Sequence, residues 1–302
     1  MDRHHGFDYL RCFACIAVVA IHCALFESSD LALSRVINRN VVMLAVPVFL
    51  LMSLYLFNKH GYPLKQRLTR YVWLYLFWVG IYTFAFGGWA SIGGAVSHGN
   101  VGGLLGYILT GGHSLFYFLV ALIFLTFISY AFRELPSWVL VMALVASVVL
   151  IAALSSGGAG RPSVYLVFVP FLPLAFVGLL ASRGSVGLPW IGLLAVVSLV
   201  AALVEWHYNL DASYSRTSVT GFSSVAFLLA LRVRSPAPRP LVTLADCSLG
   251  VYCLHVFLIA FFQAHIGMPV RFWPIMFEYV TVFAWSVMVV LGIKRALSYK
   301  II

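Results

Sequence analysis

Charge is what this sequence has least of. Only 9% of its 302 residues are charged, against about 25% in an ordinary soluble domain, so there is too little polar surface to cover a water-facing protein. Acidic residues are the scarcest, nine against nineteen Lys and Arg. No stretch is long and polar enough for a soluble domain, so residues 1–302 are read as a single transmembrane domain with nothing soluble appended. The net charge of +10 invites a nucleic-acid reading, but the chain has no basic groove or compact basic domain, which excludes one. Cysteine is sparse as well: Cys12, Cys15, Cys23, Cys247 and Cys253. The Cys12-x-x-Cys15 pair has no second pair and no preceding strand, so a zinc or redox site lacks its partners. All five fall in apolar runs and read as small buried hydrophobes, and neither a metal nor a bound cofactor is expected.

What is present is apolar length. Hydrophobic residues make up 63% of the chain and the mean hydropathy is +1.01. Apolar runs recur at the roughly 20 residues needed to cross a bilayer, which predicts an all-α polytopic bundle of about ten transmembrane helices. The expected spans are 7–26, 41–58, 70–87, 114–132, 138–154, 164–181, 188–207, 217–232, 246–264 and 275–293. Turn signals such as Gly61-Tyr62-Pro63 and Pro236-Ala237-Pro238-Arg239-Pro240 separate them. The glycine-rich segment from Gly87 to Gly112 either dips into the membrane or lies on it. The run from Cys12 to Phe26 is followed by Glu27-Ser28-Ser29-Asp30 rather than a small-x-small cleavage site, so it reads as an uncleaved first span. Counting Lys and Arg by alternate loops places fourteen on one side and five on the other. The positive-inside rule then puts both termini in the cytoplasm.

Ionisable residues at membrane depth are costly and mark functional sites by default. The first span carries three: Asp8, Arg11 and His22. Arg11 and His22 are eleven positions apart, which on a helix is roughly 20° of rotation and about 16 Å of rise. Asp8, Cys15 and His22 recur by sevens along nearly the same stripe. Two readings fit. Arg11 snorkels to the interface and His22 bonds a neighbouring helix, or imidazole is there for proton transfer near neutral pH.

Phe7-Asp8-Tyr9-Leu10-Arg11, followed by His22, resembles the opening signature of the acyltransferase 3 family, an Arg and a His separated by ten residues. Further stretches resemble the family in order. Val46-Pro47-Val48-Phe49-Leu50-Leu51-Met52-Ser53 is similar to its second-helix motif, with Ser53-Leu54-Tyr55 where Ser-Gly-Phe is usual. Arg67-Leu68-Thr69-Arg70 matches its R-x-x-R. His113-Ser114-Leu115-Phe116-Tyr117-Phe118 is a looser match, and Ser248-Leu249-Gly250-Val251-Tyr252-Cys253-Leu254-His255 resembles the late Ser-x-Gly-x-Tyr-x-x-His stretch.

The resemblance implies a membrane-embedded O-acyltransferase, most often an O-acetyltransferase, in a bacterial inner membrane. Its co-substrate would be cytoplasmic acyl-CoA, most often acetyl-CoA. Its acceptor would be a sugar hydroxyl of a surface polysaccharide, lipopolysaccharide or related glycan, with polysaccharide-assembly proteins as partners beside the lipid bilayer. On this reading His22, Arg11 and Asp8 are the catalytic candidates. Arg67, Arg70 and Lys65 would hold the donor phosphates, which guanidinium forks suit. Tyr252, His255, His113 and Glu205 would bind the acceptor or an oxyanion. With the ninth span starting at 246, Tyr252 and His255 are expected nearer Arg11 than His22. The rival is a transporter of a glycan precursor or small solute. Transporters often show paired halves, and the Arg–His pattern has no counterpart after residue 150.

Overall fold

The computed structural model describes residues 3–23, 25, 32–85, 116–156, 168–208, 214–266 and 272–297. Helix is the regular element throughout these residues: α1 (His5–His22), α2 (Ala32–Asn40), α3 (Ala45–His60), α4 (Leu64–Ala85), α5 (Tyr117–Ala131), α6 (Ser137–Ser156), α7 (Leu172–Arg183), α8 (Leu188–His207), α9 (Thr217–Ala230), α10 (Arg239–Ile266) and α11 (Phe272–Leu297). Short 3-10 turns at Val42–Leu44 and Val169–Phe171 lead into α3 and α7. Proline marks many of the starts. Pro63 and Pro136 immediately precede α4 and α6, while Pro47, Pro173, Pro189, Pro240 and Pro274 sit in the first turns of α3, α7, α8, α10 and α11. The first four N–H groups of a helix have no intrahelical partner, so a residue without one costs nothing there.

Each of the ten expected spans overlaps a helix. Four segments among the described residues are long and apolar enough to cross a membrane: Val36–His60, Leu188–His207, Arg239–His265 and Ile275–Ala296. Shorter apolar helices cover Tyr117–Ala131, Ser137–Ala153, Val169–Arg183 and Thr217–Ala230. Outward faces are apolar too: Val141, Met142, Val145 and Val149 on α6, and Leu193, Val196, Val200 and Leu203 on α8, are exposed. Bare aliphatic faces of this length suit lipid, not water. The chain is a membrane protein. Helix α2 was not among the expected spans; with Arg35, Asn38, Arg39 and Asn40 in nine residues it is short and polar.

The described residues fall into two compact units: Met1–Phe49 with Ile191–Val197 and Gly221–Ile302, and Leu50–Trp190 with Ser198–Thr220. In the first, α1, α10 and α11 each pack on the other two. Helices α1 and α10 run in the same direction, since Cys12 Sγ meets the Leu241 carbonyl at 3.1 Å and, further along both, His22 meets His255. Helix α11 runs back, pairing Lys294 with the Asp246 carbonyl at one end and Glu278 with Gln263 at the other. Close approach of α1 to α9 depends on Gly6: a Cβ there would lie 1.8 Å from the Ala230 carbonyl oxygen. Phe7 stacks on Phe227 beside it, with ring centroids 5.8 Å apart. In the second unit α5 packs on α4 and α7, and α6 on α7, around Leu140, Phe176 and Leu179. Arg183 reaches the Arg133 carbonyl at 2.6 Å, holding the end of α5, where carbonyls lack intrahelical partners. All five cysteines are free and buried, as expected of small hydrophobes.

Candidate active site

Asp8 lies in the first turn of α1, 1% exposed. Its carboxylate is held by Arg3, whose Nε and Nη2 donate to Oδ2 and Oδ1 at 2.8 Å each. A bidentate fork of this kind is the strongest arrangement open to the pair. Arg3 also donates to Asp246 Oδ1 at 3.0 Å. Arg11, one turn on from Asp8, is half-buried and feels Asp8 and Asp246 through space. It makes no hydrogen bond among the described residues, so its five donors are uncommitted. Asp8, Arg11 and His22 share α1 but do not meet as a cluster. Asp8 is occupied by Arg3, and His22 lies about 16 Å beyond Arg11 along the helix.

His22 is the last residue of α1 and is exposed. Its ring lies against that of His255, centroids 4.9 Å apart and planes tilted by 54°. His255 is 1% exposed. Its Nδ1 bonds the Val251 carbonyl at 3.0 Å, while its Nε2 is buried with no partner among the described residues. The buried Tyr252 ring stands 5.9 Å away. This corrects the expected placement of Tyr252 and His255 nearer Arg11. Helix α10 begins at Arg239, seven residues before the expected 246, so His255 is carried about 24 Å along the helix, level with the far end of α1. Glu278 and Gln263 are joined at 3.2 Å, and Glu278 is within electrostatic reach of Cys23. Tyr279 donates to the Ile16 carbonyl at 3.4 Å. The far end of α1 is thus surrounded by polar groups from α10 and α11.

In the second unit, Arg67 on α4 is half-buried. Its Nη2 donates to Ser53 Oγ at 3.2 Å, and Ser53 Oγ bonds Tyr71 OH at 2.6 Å. The guanidinium lies 5.0 Å from the Tyr71 ring centre and 5.4 Å from that of Tyr62, within cation–π range. Its Nε is buried without a partner among the described residues. Arg70 and Lys65 are exposed and make no hydrogen bond or ion pair among the described residues. The motif is therefore asymmetric, one arginine held and one outstretched. Tyr62 also lines an open cavity of about 440 Å³ with Asn58, Arg133, Glu134, Ser182 and Arg183.

Glu205 sits near the end of α8, 5% exposed. Arg216 donates to its Oε2 at 2.9 Å and Thr217 to its Oε1 at 2.7 Å. The Ser218 N–H reaches Oε1 at 3.1 Å, and the Ser218 hydroxyl bonds Oε2. The carboxylate thereby caps the first turn of α9, where N–H groups need acceptors. His113 lies outside the described residues. No group of three His, Cys, Asp or Glu among the described residues is placed to hold a metal.

Several neighbours escaped the sequence reading. Tyr71 stands four residues after Arg67 on one helix, a spacing that places the two side by side and that could have revealed the pair. Arg3 precedes α1, so no helical period ties it to Asp8. Gln263 and Glu278 meet only because α10 and α11 pack.

A profile of the acyltransferase-domain family, acyltransferase 3, matches residues 4–295. The chain belongs to this family. The match takes in α1 with Arg11 and His22, the Arg67–Arg70 segment and α10 with His255, nearly the whole chain, and it makes the protein a membrane-bound acyltransferase. The transporter reading finds no support. No curated protein and no solved structure matches the chain.

Proposed function

We propose that this acyltransferase moves an acetyl group from acetyl-CoA to a sugar hydroxyl of a surface polysaccharide, lipopolysaccharide or related glycan, with His22 as general base. The observation that carries the reading is an accessible imidazole at the end of α1, in a family of acyltransferases, set against a second, buried imidazole. A His takes a proton efficiently near neutral pH, and a positioned base contributes about 10²- to 10⁴-fold to rate. In the step, a ring nitrogen of His22 takes the proton of the sugar hydroxyl as its oxygen attacks the thioester carbonyl. The carbon–sulfur bond then breaks, and the departing thiolate receives the proton from His22. Acceptor oxygen gains the acetyl group, the donor leaves as free thiol, and the base is restored.

Donor phosphates fall to the exposed Arg70 and Lys65 with Arg67. Tyr62, whose ring lies 5.4 Å from the Arg67 guanidinium, also lines a cavity with Arg133, Glu134 and Arg183, and a volume of several hundred Å³ suits a small ligand. Arg11, which makes no hydrogen bond among the described residues, supplies a further cation, while Asp8 serves it indirectly by anchoring Arg3. Tyr252 and His255 line the end where His22 works. The fourteen-to-five division of Lys and Arg supports ten spans with both termini cytoplasmic, in a bacterial inner membrane, where donor and basic loops share a side.

The test is ester-linked acetate on total surface glycan, comparing the intact gene, a deletion, and His22→Ala at matched protein level. Loss in both altered strains upholds the enzyme and its base. Full acetylation in the His22 variant removes the mechanism, and an unchanged deletion strain removes the reaction.

A further inference from the structure

Two facts about His255 do not fit a residue that merely fills space. Its Nδ1 lies 3.0 Å from the Val251 carbonyl, and a carbonyl oxygen can only accept. The ring hydrogen of neutral His255 is therefore on Nδ1, leaving Nε2 as a lone-pair acceptor. That Nε2 is buried and has no hydrogen-bond partner among the described residues. A buried acceptor left unpaired is unfavourable, since its bond to water is lost and not replaced, so a structure that keeps one is holding a place for a donor. The ring beside it belongs to His22, 4.9 Å between centroids, and imidazole carries an N–H.

We propose that His255 is the positioning residue of His22: its Nε2 accepts an N–H from His22, which fixes the tautomer of His22 and turns its other nitrogen, bare of hydrogen, to the acceptor hydroxyl. The inference rests on His22 as the base of acyl transfer and adds how that base is set. A neutral imidazole can orient and stabilise a neighbouring ring much as a carboxylate does in a hydrolytic triad, without placing a permanent negative charge at membrane depth. The proton bookkeeping is unchanged. His22 becomes imidazolium on taking the hydroxyl proton, with both its N–H groups engaged, one by His255 and one by the departing thiolate, to which it returns the proton. His255 keeps its Nδ1 hydrogen throughout and exchanges none. The bond asks the exposed His22 ring to turn its N–H towards a ring whose centroid is 4.9 Å away. The Val251–His255 bond spans one turn of α10, so the acceptor is anchored to the backbone of a long helix rather than to a loop.

The experiment uses the full-length protein in nanodiscs, with radiolabelled acetyl-CoA and isolated deacetylated glycan, and compares His255→Gln, His255→Phe and His255→Ala. A Gln amide oxygen stands near the place of Nε2 and accepts, whereas Phe keeps the volume without an acceptor. In Phe and Ala, kcat is expected to fall about 10- to 100-fold, the scale seen when the partner that orients a metal-bound His is removed, with KM for acetyl-CoA within about 2-fold; Gln is expected to recover most of kcat. Wild-type rates in Phe overturn the proposal, as does equal loss in Gln and Phe, which would mean packing rather than acceptance. A matched thermal unfolding curve for each variant separates a folding defect, and if Ala does not fold, Gln against Phe decides. Absence of transfer by the wild type strikes the acyltransferase reading itself, which is a different result from transfer that is indifferent to residue 255.

Discussion

Glu205 and His255 are both buried polar residues in apolar helices, and they differ in one respect. Every oxygen lone pair of Glu205 within reach is taken, by Arg216, Thr217 and both Ser218 donors. His255 has one nitrogen with no partner among the described residues, beside an exposed histidine. A saturated network fixes geometry, because any movement breaks charge-assisted bonds in a low dielectric. An unsaturated one has capacity left for chemistry. The same contrast separates Arg3, whose guanidinium is spent on Asp8 and Asp246, from Arg11, which makes no hydrogen bond among the described residues.

Four substitutions strain this contrast, in falling order of effect. His22→Ala is expected to reduce acetyl transfer by about 10²- to 10⁴-fold with the unfolding midpoint hardly moved, read by radiolabel transfer and a thermal melt on one preparation. A stability loss as large as the activity loss would place His22 with the saturated group. Glu205→Ala is expected to do the opposite. It takes the opposite charge away from a buried guanidinium, and breaking a buried ion pair typically costs about 3–5 kcal/mol, visible as a lower melting temperature in detergent. Should stability hold while KM for the glycan climbs, Glu205 reads the acceptor, and saturation is no guide to role. Gly6→Ala tests the platform beneath both arginines. Its new methyl meets the Ala230 carbonyl, and overpacking of this kind costs about 1–3 kcal/mol; an unchanged melt would mean that α1 and α9 stand further apart. Arg70→Ala is the mildest. An exposed cation on a phosphate gives a salt-dependent gain, so KM for acetyl-CoA should rise a few-fold at low salt and less at high salt, with kcat unchanged. A kcat effect at all salts would move Arg70 into the reacting centre.

Much of the fold was legible because lipid demands a simple code. The span 188–207 was read to the residue, and nine others overlap a helix, since only an apolar helix satisfies its own backbone in hydrocarbon. The edges were less legible. Arg239-Pro240 reads as the close of a Pro-rich loop, yet Pro is also favoured in a first turn, and α10 starts there. That shift of seven residues decided which end of α1 His255 faces. Helix α2 was passed over because it is too short and polar to cross, and the length rule says nothing about such helices.

The sequence by itself determined that the chain lives in a membrane, that its helices begin where prolines permit, and that His22, Arg11 and the Arg67–Arg70 pair are the residues out of place in an apolar protein. Composition and local period suffice for these, because they depend on the solvent and on neighbours within a turn. Only the tertiary structure decided which of those residues are already spent. Arg3 takes Asp8 from Arg11, Ser53 takes one donor of Arg67, and His255 comes level with His22 from 233 residues away in sequence. Such pairings depend on where whole helices start and how they pack, and no spacing along the chain records that.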